Sequence, residues 1–183
     1  MAAAIFPAHH VRSAMREDRT NPRDLPIYKK AMEIFHVVSS LVDAAPQVEG
    51  DEGEMLKEQS NQMMADAMMI PAKIAAAEGV ALYDLRMENA SIIRKAARDL
   101  VVGLRGLEIY GWNEPRYFNL LRAEVEEFRL LFIDWVAGFD RENYIIDRWG
   151  LFNPPGVGPF DKDLDDDDPF DPNTFLGDDD ADE

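Results

Sequence analysis

Apolar side chains recur at alternating steps of three and four residues through much of the chain, most strictly in its C-terminal half. This period places them along one face of an α-helix, where they form the packing seam of a helical bundle. No segment shows the period-two alternation of a half-exposed strand. The sequence therefore predicts an all-α fold. The strictest seam consists of Phe118, Leu121, Val125, Phe128, Phe132, Trp135 and Phe139.

Three further helices are predicted ahead of this one, over about residues 25–45, 54–82 and 88–110. Pro46 and Gly111 are expected to end the first and third, because proline cannot continue a helix and glycine favours its C-terminal cap. Pro71 lies inside the second helix and predicts a bend there. The three predicted seams are Tyr28, Ala31, Phe35, Val38 and Val42, then Met63, Ala67, Ile70, Ile74, Ala77 and Ala81, then Ile93, Ala97, Leu100, Leu104 and Leu107.

The chain divides into four predicted regions. Short connections between the helices favour antiparallel neighbours, hence an up-down-up-down four-helix bundle over residues 24–140. Residues 1–23 show no sustained period and are expected to form a mobile arm. Residues 141–158, rich in aromatic residues and proline, are expected to form an ordered strap packed on the bundle. Residues 159–183 are dominated by aspartate, which predicts a disordered acidic tail.

Composition excludes several classes of protein. The chain has no cysteine, which excludes disulfides, zinc thiolate sites, iron–sulfur clusters and cysteine nucleophiles and suits a cytoplasmic location. No apolar run reaches the roughly 18 residues needed to cross a bilayer, so no membrane association is predicted. The net charge is −17, of which residues 161–183 contribute −11 through twelve acidic groups and one lysine. The remainder of the chain is only mildly acidic.

Candidate catalytic and metal-binding residues are sparse. Glu33 and His36 form a Glu-x-x-His pair, which di-iron bundles use twice, but the other two histidines, His9 and His10, lie in the arm. A solvated pair on one helix face is the favoured interpretation, and a metal or haem site is a distant alternative. No Gly-x-Ser-x-Gly motif or phosphate-binding loop is present. We therefore predict no enzymatic activity, no catalytic residue and no cofactor.

The third predicted helix carries the one locally positive segment of the bundle. Arg94, Arg98 and Arg105 fall on one stripe, with Lys95 beside them. Ion pairs with Asp99 and other acidic groups would make this an ordinary solvated face. Unpaired arginines would instead suit contacts to phosphate groups, because the planar guanidinium binds them through two hydrogen bonds. These four residues are the candidates for binding nucleic acid, either RNA or DNA.

Two helices carry more apolar residues than one seam needs. The first has a second apolar row, spaced by seven residues, and the fourth has large apolar side chains outside its seam. We expect the surplus to cover the strap, a partner or a neighbouring subunit. The candidates for such contacts, including two in the strap, are Ile27, Ile34, Leu41, Leu130, Ile133, Val136, Trp149 and Phe152.

Three short motifs within residues 24–140 resemble those of a known family. Residues 24–31, Asp-Leu-Pro-Ile-Tyr-Lys-Lys-Ala, resemble its opening motif. Residues 70–79, Ile-Pro-Ala-Lys-Ile-Ala-Ala-Ala-Glu-Gly, are similar to its shorter motif Ile-Pro-x-x-Ile-Ala-Glu-Gly, and residues 104–108, Leu-Arg-Gly-Leu-Glu, resemble its third helix. The family comprises four-helix-bundle proteins encoded by intervening sequences in large-subunit ribosomal RNA genes. It includes relatives of the accessory variability determinant of diversity-generating retroelements (Avd-like proteins).

The resemblance implies a non-enzymatic bundle that assembles as a homopentamer and, in the retroelement branch, binds a reverse transcriptase and its RNA through a basic surface. This chain departs from the family by an extra alanine in the Ile-Pro motif, by the absence of arginine from residues 60–67, and by its strap and tail. The favoured hypothesis is a homo-oligomeric accessory or scaffold protein that binds a macromolecular partner. The alternative is a nucleic-acid or ribonucleoprotein-binding accessory protein of a reverse transcriptase. A metal- or haem-binding bundle enzyme is a distant third.

Overall fold

The computed structural model describes residues 21–162, and every regular element within them is helical. The four helices are α1 (Pro26–Asp43), α2 (Asp51–Gly79), α3 (Tyr83–Ile109) and α4 (Pro115–Ala137), and one turn of 3-10 helix, Pro22–Asp24, precedes them. The predicted all-α class with four helices is confirmed. Most of the predicted arm and most of the predicted acidic tail, residues 1–20 and 163–183, lie outside the described residues. None of the helices in the described part combines the length and hydropathy that crossing a bilayer requires.

The predicted helix bounds hold to within about three residues, except at the start of α3. Only three residues separate α2 from α3, and α3 begins at Tyr83, five residues earlier than predicted. Its start is supported from outside the helix, because the backbone N–H of Tyr83 donates to the backbone carbonyl of Asn143, 2.7 Å away. No side-chain cap marks this helix start, so the usual local signal is missing from the sequence.

The predicted seams of α2 and α3 form the core. All five positions of the α3 seam are buried, and so are the α2 positions from Met63 to Ala77, whereas Ala81 lies beyond the helix end and is exposed. In α4 the seam is buried at Phe118, Leu121 and Phe128 and half-buried elsewhere within the helix. The fourth helix is therefore the least completely covered of the bundle.

For α1 the predicted phase is wrong by one residue. The buried positions are Ile27, Ala31, Ile34, Val38 and Leu41, while the predicted seam residues outside this set are only half-buried. Ile27, Ile34 and Leu41, which were expected to contact the strap or a partner, are at most 3% exposed and lie in the core. Consecutive residues point about 100° apart around a helix. Because α1 has apolar side chains in two neighbouring rows, its spacing is compatible with either row facing the core.

The helices differ in how closely they pack. α2 packs against α1 and α3, and α4 packs against α1, whereas α3 and α4 make the slightest contact among these pairs. At Gly103 of α3, an added Cβ would lie 2.7 Å from Cγ of Met63 in α2, a distance that real Cβ contacts do not reach. The missing side chain thus lets α2 and α3 approach closely. In the described part of the chain, no glycine of α3 lies against α4 in this way.

The segment that follows α4 contacts the start of α3. The side-chain amide of Asn143 donates to the backbone carbonyl of Ala81, 3.0 Å away, and the backbone N–H of Ile145 donates to the carboxylate of Asp84, also 3.0 Å away. Ile146 is 5% exposed. Residues 143–146 are therefore held at the end of the bundle where α3 begins.

Candidate functional site

A groove of about 530 Å3 runs between α3 and α4, the adjacent pair of helices in slightest contact. Val102 on α3 and Ile133 on α4 stand at its two lips and are 67% and 51% exposed. A concave site of this size, lined mainly by apolar side chains, is typical of ligand and peptide binding sites in proteins. The floor of the groove is formed by Ala97, Val101, Val125, Phe128 and Phe132.

The rim of the groove is basic on the α3 side. Arg94 and Arg98 lie one helical turn apart, so both side chains stand on the same edge of α3. Neither forms an ion pair with any residue between 21 and 162. An unpaired guanidinium beside apolar surface is well suited to a carboxylate or a phosphate, which it binds through two parallel hydrogen bonds.

The rim on the α4 side is neutralised within its own helix. Arg129 donates two hydrogen bonds to Glu126, at 2.5 and 2.8 Å. This hydrogen bonding lowers the pKa of the Glu126 carboxyl and raises the pKa of Arg129. The pair contributes no net charge, so the groove keeps the positive charge of the two α3 arginines.

The other two residues of the predicted basic stripe differ from each other. Lys95 is exposed and pairs with Asp99 one turn further along, as the interpretation of a solvated face predicted for it. The hydrogen bond to Asp99 raises the pKa of Lys95. Arg105 is exposed and, among the residues that the structure describes, has no ion-pair partner. Arg94, Arg98 and Arg105 therefore remain as the candidates for binding an anionic partner.

The remaining candidates for partner or subunit contacts lie on α4 and in the segment that follows it. Leu130 is 54% exposed, close to the groove lip at Ile133. Val136 is half-buried and packs against a small cluster that includes Tyr83 and Phe139. Phe152 is half-buried, whereas Trp149 is 89% exposed.

The loop that carries Trp149 is built around one carboxylate. Asp147 accepts hydrogen bonds from the backbone N–H groups of Trp149, Leu151 and Phe152, at 2.8 to 2.9 Å. Partial burial works to raise the pKa of Asp147, but the three backbone donors together lower it. Asn153 closes the loop through hydrogen bonds with the backbone of Asp147. The exposed indole is therefore held on an ordered support.

A cluster that sequence reasoning missed closes the end of the bundle beyond the groove. Glu78 at the end of α2 accepts a hydrogen bond of 2.5 Å from Arg86 of α3 and one of 2.8 Å from the indole N–H of Trp135. The Arg86 guanidinium also lies over the Phe139 ring, 4.2 Å from its centroid, where a cation is attracted to the ring face. This cluster ties three helices together, and we assign it a structural role.

The predicted metal candidates do not converge. Glu33 and His36 are exposed on α1, and Glu33 instead pairs with Lys30, 2.6 Å away. Within residues 21–162 no three side chains of histidine, aspartate or glutamate are grouped as metal ligands would be. The arrangement on α1 fits the interpretation of a solvated polar face.

The groove itself was not predicted, although some of its parts were. Arg94 and Arg98 were singled out from their spacing, and Ile133 from its place outside the α4 seam. Sequence reasoning missed Val101, Val102 and Arg129, because they line one groove only through the way α3 and α4 are rotated against each other. Comparison of the chain with protein-family models, with curated proteins and with solved structures gave no match.

Proposed function

We propose that this protein is a non-enzymatic, cytoplasmic accessory or scaffold protein that binds a protein partner through the groove between α3 and α4 and associates with further copies of itself. The observation that carries the proposal is the groove, whose apolar floor is flanked by two arginines that form no ion pair with any described residue. Such a surface binds by releasing water from apolar side chains and by pairing charges at the rim. It favours a segment with large apolar side chains next to carboxylates.

The proposal includes an up-down-up-down order of the helices, with the segment after α4 as a strap. Two contacts support opposite directions for α2 and α3, because Met63 meets Gly103 in mid-helix while Glu78 meets Arg86 at the end. The hydrogen bonds of Asn143 and Ile145 to the start of α3 support the strap.

Self-association is proposed to use the exposed apolar side chains outside the groove. Leu130, Trp149 and Leu151 are 54%, 89% and 74% exposed, and a large aromatic side chain on an ordered loop is a favourable anchor, since little entropy is lost when it binds. The family resemblance implies five subunits.

Light scattering on the full chain tests self-association. We expect the mass of a multi-subunit particle, which falls to that of one subunit when Trp149→Ala and Leu130→Ser are combined. Leu120→Ser is the matched control, because Leu120 is also an exposed leucine of α4, at 44%, but lies ten residues before Leu130, near the start of the helix. A single-subunit mass at every concentration of the unaltered protein would contradict this part of the proposal.

Peptide binding tests the groove. The probe is a fluorescent peptide in which phenylalanine and leucine alternate with glutamate, and its anisotropy is measured against the full chain. Ile133→Asp places a carboxylate at the apolar lip and is expected to weaken binding at least about tenfold, equivalent to 1.4 kcal/mol. Leu120→Asp introduces the same charge elsewhere on α4 and should leave binding unchanged. Equal affinities for the two variants would show that the groove is not the binding site.

A second candidate function is binding of nucleic acid as an accessory protein of a reverse transcriptase. The observation that favours it is the absence of ion pairs, among the described residues, for Arg94, Arg98 and Arg105. RNA binding by the full chain should then weaken steeply with salt, and Arg94→Glu combined with Arg98→Glu should abolish it. Lys95→Glu is the control, because Lys95 already pairs with Asp99 and should matter less. Binding that the double substitution leaves intact would rule out this stripe.

A further inference from the structure

We propose that the groove between α3 and α4 binds the chain's own acidic tail, residues 163–183, with Phe170 and Phe175 on its apolar floor, and that a partner must displace the tail. The inference rests on the proposed function, because it assigns an internal competitor to the same groove.

The tail has the chemistry that the groove selects. Residues 163–183 contain eleven acidic groups and no basic one. Apart from Leu164 and Ala181, their apolar residues lie in one island, Pro169-Phe-Asp-Pro-Asn-Thr-Phe-Leu176, with runs of aspartate on both sides, at 165–168 and 178–180. An apolar island with acidic flanks complements an apolar floor with a basic rim, because burial of the rings and charge pairing act together.

The tail starts close enough to reach the groove. The backbone carbonyls of Pro159 and Asp161 accept hydrogen bonds from Arg148, at 3.0 and 2.8 Å, which fixes the chain just before the tail. The loop that contains Arg148 borders the first turns of α3, because Trp149 and Leu151 share a cavity with Asp84 and Glu88.

The distances that remain are short for an extended chain. Arg94 and Arg98 follow Glu88 by six and ten residues, or about 9 and 15 Å along the helix. Phe170 follows Lys162 by eight residues, and an extended chain of that length spans about 27 Å. The chain between Lys162 and Phe170 is therefore longer than the distance along α3 from Glu88 to either arginine, which leaves enough length for Phe170 to reach the groove.

The other end of the chain is a poorer occupant. Residues 1–20 carry three arginines against Glu17 and Asp18, so their net charge has the same sign as the rim. They join the described chain at Asn21, where the 3-10 turn packs on α1 and α2. Charge and position both favour the tail.

A tethered tail would regulate access to the groove. Tethering gives a segment an effective concentration that reaches the millimolar range for short flexible linkers, so even a weakly bound tail competes with a free partner. Partners that bind the arginines or the apolar floor more strongly would displace it. Salt should release the tail, because the carboxylate–guanidinium part of its binding is screened.

The experiment uses the full chain with Phe170→Ser and Phe175→Ser, which removes the two rings and keeps every charge. A fluorescent peptide of residues 163–183 is titrated with this variant and with the unaltered chain. We expect the peptide to bind the double variant, and to bind the unaltered chain at least about tenfold more weakly, because the native tail competes for the groove. Adding Ile133→Asp to the double variant should abolish binding, whereas adding Leu120→Asp should not.

Two outcomes separate failure of this inference from failure of the proposed function. If the phenylalanine–leucine–glutamate peptide binds the groove and the tail peptide does not, the tail is the wrong occupant and the groove function stands. If neither peptide binds the variant that carries Phe170→Ser and Phe175→Ser, the groove function is wrong as well. If the weaker binding to the unaltered chain appears only at high protein concentration, a second copy occupies the groove, which also overturns the inference.

Discussion

The two sides of α3 meet their neighbouring helices in opposite ways. On the α2 side the helix carries glycine, and an added Cβ would lie 2.7 Å from Met63 at position 103 and 2.6 Å from Gln59 at position 106. On the α4 side it carries arginine and valine, and a groove of about 530 Å3 remains open. Both sides flank the same buried seam, so the core does not account for the difference.

The comparison shows that residues at the edge of a seam decide whether two packed helices close together. Close packing gains dispersion contacts and fixes the geometry of α2 and α3. Since α4 gains little from α3, it must be held elsewhere. Besides the apolar core that it shares with α1, the structure supplies two polar attachments, the hydrogen bond from Trp135 to Glu78 and the ion pairs from Lys30 of α1.

The largest expected effect comes from removing the first attachment. Trp135→Ala deletes a ring that packs edge-to-face on Phe139, with centroids 4.8 Å apart, and the N–H that bonds to Glu78. We expect the free energy of unfolding to fall by about 3 kcal/mol, measured by urea denaturation followed by circular dichroism. Trp135→Phe keeps a ring and loses the N–H, and should cost about 1 kcal/mol. A loss below about 1 kcal/mol for Trp135→Ala would mean that α4 is held by other contacts.

The second prediction compares the closed and open sides directly. Gly103→Leu forces a side chain into Met63, which is fully buried, and overpacking of this kind should cost about 2 kcal/mol. Val102→Leu adds bulk one residue earlier, at a position that is 67% exposed, and should change stability by less than about 0.5 kcal/mol. Both changes are to be measured by urea denaturation. Equal costs would show that the two sides of α3 are packed alike.

Much of the fold could be predicted because helical periodicity depends on local spacing. The seam of α3 and the seam of α2 as far as Ala77 were assigned correctly. The α1 seam was misplaced by one residue because Ile27, Ile34 and Leu41 stand beside a second apolar row. Which of two adjacent rows faces the core depends on how the neighbouring helices sit, and the spacing of α1 alone does not contain this information.

The candidate site could be predicted only in part, for a related reason. The stripe of arginines on α3 is a property of one helix and was found from spacing. The groove beside it depends on two helices, because it requires the rotation of α4 that places Val125 and Ile133 opposite Val102. The pairing of Lys95 with Asp99 was anticipated, because partners four residues apart face each other on a helix.

The smallest expected effect concerns the second attachment of α4, at Lys30. Its ammonium group lies 2.9 Å from Glu124 and 2.7 Å from Glu127 of α4, and 2.6 Å from Glu33 on its own helix. The lysine side chain is 16% exposed, so Lys30→Met should lower the free energy of unfolding by about 1–2 kcal/mol. Arg129→Met is the matched control from the open side, because its one ion pair within residues 21–162 is with Glu126 of the same helix, and its loss should leave the urea midpoint unchanged.

The pH dependence of this loss identifies its cause. Hydrogen bonds to Glu127, Glu33 and Glu124 raise the pKa of Lys30 above its usual value. A group whose pKa is higher in the folded protein stabilises it fully below the pKa of the unfolded chain, about 10.4 for lysine, and that stabilisation is lost as pH rises further. The difference between the unaltered chain and Lys30→Met should therefore stay constant from about pH 6 to 9 and shrink above about pH 10.5. A difference that persists at higher pH would assign the loss to packing of the lysine stem, and would leave Trp135 as the polar attachment that keeps α4 on the bundle.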